Sequence, residues 1–326
     1  MKVLVTGASG FIGSHTARYL VRGGHIVVAT GRNRERLLPL EREGVQIAAT
    51  DLASDALEPL LQDTEVVVHC AARASPWGPR EVFWRDNVVA TERLLDVARR
   101  AGAVRRFVFL SSPSIYFKLH DQLRLTEAFE PPQRWPTVYA ETKWEAECRV
   151  RAASELGPIV LRPRAVFGPG DRAIVPRLLA VARHGVFPVP AGGKAWVDVT
   201  YIDNAVQAIA RAIEAARDAE GHSFNITNGE PVQVRDLLTR IFTALKMPVR
   251  LISIPRLAAM RLAQASEVLA RMRSGAPEPR LTVYGMGLLA YSQTLSLEAA
   301  RQVLGYAPIL SIDAGIERYA QWWSRQ

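Results

Sequence analysis

The sequence predicts an α/β fold, a doubly wound parallel sheet followed by a smaller C-terminal lobe, and three observations predict it. Short aliphatic runs recur through the first half and alternate with helix-compatible segments, the pattern of βαβ units. A glycine-spaced turn, Gly7-x-x-Gly10-x-x-Gly13, joins the first run to the first helix. Past Arg162 the alternation loosens, and Pro163, Pro169, Pro176, Pro188, Pro190 and Pro255 punctuate the chain. A first unit is therefore expected over 1–162, and a lobe partly interleaved with it over 163–326.

Val3 to Val5, β-branched and aliphatic, read as a buried parallel strand. The three glycines let the next turn take unusual dihedrals and let a pyrophosphate approach the backbone. A helix over Ser14 to Arg22, with Ala17, Leu20 and Val21 on one side, then presents its N-terminus to that anion. Strand, glycine turn and helix are the context a dinucleotide fingerprint needs. Gly7, Ser9, Gly10, Phe11, Ile12 and Gly13 are its candidate contacts. A second strand, His25 to Thr30, follows Gly23-Gly24. NAD-binding versions place an acid about 20 residues past the glycines, to hold the ribose hydroxyls. Here that place reads Thr30-Gly31-Arg32-Asn33-Arg34. Two guanidiniums suit a 2′-phosphate, so Arg32 and Arg34 favour NADP(H), with NAD(H) left open. The plainer alternative is that both arginines begin a solvated helix with Glu35 and Arg36.

Further strands are expected at Gln46 to Ala49, Val66 to His69, Phe107 to Leu110 and Ile159 to Leu161, and helices over 54–62, 81–101 and 137–156. A doubly wound sheet binds ligands at the carboxyl ends of its strands. Asp51-Leu52, Cys70-Ala71-Ala72 and Ser111-Ser112 fall there. Tyr139 and Lys143 stand four apart in a helical segment, so they share a face. An ammonium beside a phenol lowers its pKa from about 10, which would let Tyr139 move a proton near neutral pH. Such a pair is often just a solvated helix face, but no other tyrosine here has a lysine four residues later.

At 326 residues the chain is long enough to bury a large core. No apolar leader precedes the first strand, and no uncharged stretch is long enough to span a bilayer. The two cysteines, Cys70 and Cys148, have no metal or redox spacing, so no metal and a reduced cytoplasmic setting are expected. The net charge of +9 is dispersed and no nucleic-acid motif is present, so an anionic cofactor or substrate explains it as well. Over 256–272, Leu257, Met260, Leu262, Ala265, Val268, Leu269 and Met272 are flanked by Arg256, Arg261, Arg271 and Arg273. That segment reads as a helix packed on the core, or as a lid or membrane-surface helix.

Taken together these segments identify the chain as similar to the extended short-chain dehydrogenase/reductases, the NAD-dependent epimerase/dehydratase superfamily, with a Rossmann sheet. The likeness rests on Thr6-Gly7-x-x-Gly10-x-x-Gly13 and Tyr139-x-x-x-Lys143 and covers nearly the whole chain. It implies that Asp51-Leu52 contact adenine, and that Cys70, Ala71, Ala72 and Asn87 lie beside the cofactor. Arg162 to Gly170, with Pro163 and Val166, would pass the nicotinamide. By family spacing the catalytic hydroxyl lies four residues before Tyr116, which selects Ser112, with Ser114 as fallback or pocket lining. Ser112 would orient a carbonyl, Tyr139 transfer its proton, and Lys143 lower the tyrosine pKa and hold the ribose.

Sugar-nucleotide dehydratases of the superfamily carry an Asp-Glu pair after the hydroxyl residue, where this chain has Pro113-Ser114. Epimerases often hold the diphosphate with an arginine at the place of Trp196. Trp77 in Ala74-Ser75-Pro76-Trp77-Gly78, Val197 to Asn204 and Asn225 to Pro231 resemble the 3β-hydroxysteroid dehydrogenase-like branch. Within it the pattern is most like the 2-alkyl-3-oxoalkanoate (β-keto acid) reductases. The resemblance implies a lipophilic carbonyl or alcohol substrate, lined by Ser114, Trp77 and Trp196. It also allows a homodimer through the 86–101 and 139–156 helices. Sugar-nucleotide chemistry and a non-catalytic dinucleotide sensor are the alternatives.

Overall fold

The computed structural model describes residues 1–273, 275–279 and 281–326. Strands β1 (Lys2–Thr6), β2 (Ile26–Gly31), β3 (Gln46–Ala49), β4 (Val66–His69), β5 (Arg106–Leu110), β6 (Pro158–Pro163) and β7 (Ser223–Ile226) make one seven-stranded sheet. Its order is β7-β6-β5-β4-β1-β2-β3 and every pairing is parallel. The order reverses at β1, which opens a crevice at the carboxyl ends of β1 and β4.

Both faces of the sheet are covered, and side-chain alternation decides which residue goes where. Val3 and Val5 pack with Ala17 and Leu20 of α1 (Phe11–Arg22) and Leu37 and Leu40 of α2 (Arg34–Glu41). Leu4 points the other way, to a cluster holding Leu94 and Leu95 of α3 (Ala90–Ala101) and Val150 of α4 (Val138–Ala152). A fifth helix, α5 (Ile202–Glu214), adds Ile209 and Ile213 to the α1 side.

Two expected helices differ. The one over 54–62 is only Glu58–Leu61, because residues 51–55 close a turn in which Ser54 and Asp55 N–H donate to the Asp51 carbonyl. The one over 81–101 is interrupted by a π-helical turn at Trp84–Val89, a local widening common at functional sites.

The second lobe has its own core, with Phe167, Phe187, Val197, Tyr201, Leu238, Phe242 and Tyr319 among its buried residues. A small four-stranded sheet there orders Val232–Gln233, Trp196–Val197, Gln293–Leu295 and Gln122–Leu125. Each half thus lends a strand to the other's sheet. Helix α6 (Arg256–Met272) buries Ala259, Met260 and Ala263 against Met286 and Ala290 of α7 (Val283–Ala290). Its other face leaves Leu257, Leu262, Val268, Leu269 and Met272 exposed, so packing accounts for only half of it.

Candidate active site

The glycine turn is built by backbone crowding. Gly7 sits at φ +66°, and a Cβ there would stand 2.6 Å from the Ala71 nitrogen. One on Gly13 would stand 2.5 Å from the Gly7 carbonyl oxygen. Gly10 caps α1 without a side chain and the first turn holds no acid, so its leading N–H groups meet no protein anion. Ser9, Phe11 and Ile12 complete this rim. The close fit continues to the end of β2, where a Cβ on Gly31 would meet the Ser9 hydroxyl at 2.5 Å.

Beside Gly31 the expected phosphate arginines fall at the right end of the sheet, but Arg32 is not free. Its guanidinium donates to Asp86 at 3.1 Å, and Arg73 donates to the same oxygen at 3.0 Å. Arg85 bridges Asp86 and Asp51 at 2.9 and 2.6 Å. Three guanidiniums therefore share two carboxylates. Arg34, the first residue of α2, is exposed. Leu52 is buried beneath.

The end of β4 is fixed by a neutral histidine. Thr91 spends its hydroxyl proton on the Asn87 carbonyl at 2.6 Å, so His69 Nε2–H donates to Thr91 at 2.9 Å. His69 Nδ1 then accepts from Thr6 at 2.7 Å, and Thr6 Oγ1 accepts the Ala71 N–H at 3.2 Å. Burial holds the imidazole neutral by pushing its pKa down to about 3, with Lys143 adding to the effect. This chain holds the Cys70-Ala71-Ala72 turn against Gly7. Burial pushes the Cys70 thiol up to about 12. Asn87 is 2% exposed; its amide accepts the Arg73 N–H at 2.7 Å and donates to Thr142 at 3.0 Å. It ties the 71–77 loop to α4.

The structure puts the Ser112 hydroxyl against the Tyr139 phenol, with Lys143 one helical turn further along α4. Ser112 caps a short 3₁₀ turn, Pro113–Tyr116, by accepting the Ser114 N–H at 3.2 Å. The neighbouring Ser111 is taken up elsewhere, since its hydroxyl donates to Glu147 at 2.6 Å. Tyr139 lies in the first turn of α4, which Thr137 caps. Burial pushes its phenol up to about 12, the nearby Ser112 hydroxyl pulling it down in part. The expected lowering by Lys143 does not appear. Lys143 is 2% exposed, with Nζ 4.0 Å from the centroid of Phe109, and burial pushes it down to about 7 against the pull of Glu147. Desolvation, which a sequence does not display, outweighs the charge effect at both groups.

Glu147, a turn beyond Lys143, escaped the sequence reading although the four-residue spacing continues through it. It is fully buried and pairs with Arg162, which also reaches the Tyr116 phenol. Pro163 and Val166 flank the next residues, Arg164 and Ala165; Ala165 takes φ +45°. Ser114 is 2% exposed and its hydroxyl has no partner among the described residues. Tyr284 of α7 lies near enough to Tyr139 to raise its pKa further. Trp77 donates its indole N–H to the Ala276 carbonyl at 2.8 Å, joining the 71–77 loop to the second lobe. Trp196 is 43% exposed on an inner strand of the small sheet. Among the described residues no cluster of three His, Cys, Asp or Glu side chains could hold a metal, and no helix is long and apolar enough to cross a membrane.

A family model described as the NAD dependent epimerase/dehydratase family matches residues 3–227. The 2-alkyl-3-oxoalkanoate reductase of Stenotrophomonas maltophilia (strain K279a) is 35% identical over 326 residues, covering 98% of each chain. The decarboxylating sterol-4-alpha-carboxylate 3-dehydrogenase of Mus musculus is 30% identical over 331 residues, 98% of this chain and 90% of that one. The UDP-glucuronic acid 4-epimerase of Bacillus cereus, in complex with NAD, superposes with a TM-score of 0.79 over 100% of this chain and 99% of its own. At 22% identity that likeness is one of fold. With a parallel seven-stranded sheet and the motifs of the extended short-chain dehydrogenase/reductases in place, this chain belongs to the NAD dependent epimerase/dehydratase family and is an oxidoreductase within it.

Proposed function

We propose that the protein is an NADP(H)-dependent reductase interconverting a ketone and a secondary alcohol on a lipophilic substrate, with a β-keto acid as the best-supported class. The observation that carries the reading is the half-buried Ser112–Tyr139 pair, with the buried Lys143 a turn further along α4, at the end of the sheet where the Cys70–Ala71 turn packs on Gly7. The glycine cradle fits a dinucleotide: its backbone is too close-packed for side chains, and uncapped N–H groups face outward to receive a pyrophosphate. Gly31 has no room for an acid against Ser9, while Arg32 and Arg34 supply positive charge there, which favours a 2′-phosphate. Asp51, Leu52, Cys70, Ala71, Ala72, Asn87, Pro163 and Val166 would line the rest of that site.

The cofactor, when bound, supplies the hydride. Ser112 donates a hydrogen bond to the substrate oxygen and fixes its place. Tyr139, held protonated by its buried setting, gives its proton to that oxygen as negative charge develops on it. Lys143, one turn further along α4, would hold the nicotinamide ribose of the bound cofactor. Two relatives name substrates with a carboxylate one carbon away from a 3-oxygen, an oxoalkanoate and a sterol-4-carboxylate. Sugar-nucleotide chemistry is less favoured, because Pro113 and Ser114 offer no second acid or base and Trp196 no diphosphate partner. NADPH oxidation should be screened on purified protein with long-chain β-keto acids, 3-ketosteroids, aromatic aldehydes and UDP-sugars. Turnover of UDP-sugars alone would refute the reading.

The exposed apolar face of α6, with Arg256, Arg261, Arg271 and Arg273 on the same helix or just after it, supports a second element: contact with an anionic lipid surface from which a greasy substrate is drawn. Vesicles with anionic lipid should sediment the protein, and Leu262→Glu with Leu269→Glu should release it. Equal sedimentation of the double variant would remove this element.

A further inference from the structure

Three arginines are buried among the described residues, and they are not alike. Arg106 pairs with Glu220 at 3.4 Å and donates to the carbonyls of Gly157 and Ala215. Arg162 is paired with Glu147. Arg164, 5% exposed, has neither kind of partner: its Nε is sealed from solvent without a hydrogen bond, and no described carboxylate forms an ion pair with it. The carboxylate that acts on it, Asp198, spends one oxygen on the Leu295 N–H at 2.7 Å. A buried guanidinium left in this state is costly, and a chain keeps one when something else supplies the anion.

Its place in the fold says what that anion is. Arg164 lies between Pro163 and the strained Ala165, on the segment that leaves the carboxyl end of β6. The Tyr284 phenol lies near both Arg164 and Tyr139 and acts electrostatically on each, which puts Arg164 on the Tyr139 side of the crevice. The cofactor cradle lies on β1 and α1, whose uncapped N–H groups make an anion site of their own. We propose that Arg164 is the substrate's carboxylate-binding residue, forming a bidentate ion pair with an acid group near the carbonyl held by Ser112 and Tyr139. Arg164 then selects 3-oxo acids over neutral ketones, while the apolar remainder of the substrate fills the lobe. The inference rests on the ketone-reductase reading above and deepens it.

A site built around a charged hydrogen bond discriminates strongly against a ligand that lacks the charge. With NADP⁺ bound, 3-hydroxydodecanoate should bind the wild-type protein roughly 10- to 100-fold more tightly than its methyl ester by calorimetry. Arg164→Gln should abolish that preference by weakening the acid while leaving the ester within about twofold, and Arg164→Lys should restore part of it. In turnover the Gln variant should raise KM for 3-oxododecanoate, with kcat and the KM for NADPH nearly unchanged. Equal binding of acid and ester by the wild type overturns the proposal without any variant, and so does a preference that survives Arg164→Gln. If circular dichroism shows the Gln variant unfolded, the wild-type comparison and the Lys variant decide. Tight acid binding that depends on Arg164 in a protein that reduces no ketone would uphold this site and refute the reductase reading instead.

Discussion

Replacing Glu147 with glutamine tests the buried frame behind the proton-transfer group. The Glu147 carboxylate receives Ser111 Oγ at 2.6 Å, Ser223 Oγ at 3.0 Å and Arg162 Nε at 3.2 Å, with Arg162 Nη2 as a further donor. Side-chain exposure is 0% for Glu147 and 1% for Arg162, so water cannot replace what the substitution removes. Glutamine keeps the shape but deletes the charge, and it turns a donor toward a crowd of donors. Breaking a buried ion pair from one side costs about 3–5 kcal/mol. For a chain of this length that corresponds to a fall in Tm of roughly 4–7 °C. Urea unfolding followed by tryptophan fluorescence measures it. A control with both Glu147→Gln and Arg162→Met should lose less than the two single changes added together, because the second removes the orphaned charge. A Glu147→Gln loss below about 1 kcal/mol would refute the claim that this pair organises the site. Turnover should also suffer, since Glu147 partly offsets the lowering of the Lys143 pKa by burial.

Tyr139→Phe should cut turnover by roughly 10²- to 10⁴-fold while NADPH affinity, titrated by fluorescence, stays within about twofold; retained turnover would end its proton-transfer role. Arg32→Asp should weaken NADPH by about 100-fold and NADH far less, measured as dissociation constants, and equal affinities in the parent protein would remove the basis for expecting this. With the Tyr139 phenol raised to about 12, its proton is present at neutral pH, so ketone reduction has its acid in place. Alcohol oxidation needs the phenolate and should accelerate by up to about tenfold per unit from about pH 7 to 10, and a flat profile there would contradict the assignment.

How far the sequence could be read depended on whether the signal was local. The glycine turn was legible because strand, turn and helix sit next to each other, and the backbone contacts at Gly7 and Gly13 follow from that adjacency. Ser112 was separable from Ser111 only through family spacing; the structure supplies the physical difference, Ser111 being bonded to Glu147. The direction of the Tyr139 pKa shift was misread because it is set by burial in the folded chain, with the distant Tyr284 phenol adding to it electrostatically. The arginine cluster shows the same limit. Arg32 was visible, but its sharing of Asp86 with Arg73 and Arg85 spans 54 residues of sequence. Arg164 lay inside a recognised motif without a role, since an arginine lacking a partner looks no different in sequence from one that has several.

The exchange of strands between the two halves bears on how the chain is made. The edge of β6 is closed only by β7, which begins roughly sixty residues after β6 ends. At synthesis rates of about 5–20 residues per second, that edge waits several seconds on the ribosome with its backbone groups unpaired. An open edge of apolar strand is a template for pairing with the wrong chain. A fragment ending at residue 162 would carry that exposed edge permanently, so it is predicted to aggregate, and the cofactor-binding unit cannot be harvested by cutting the gene in half.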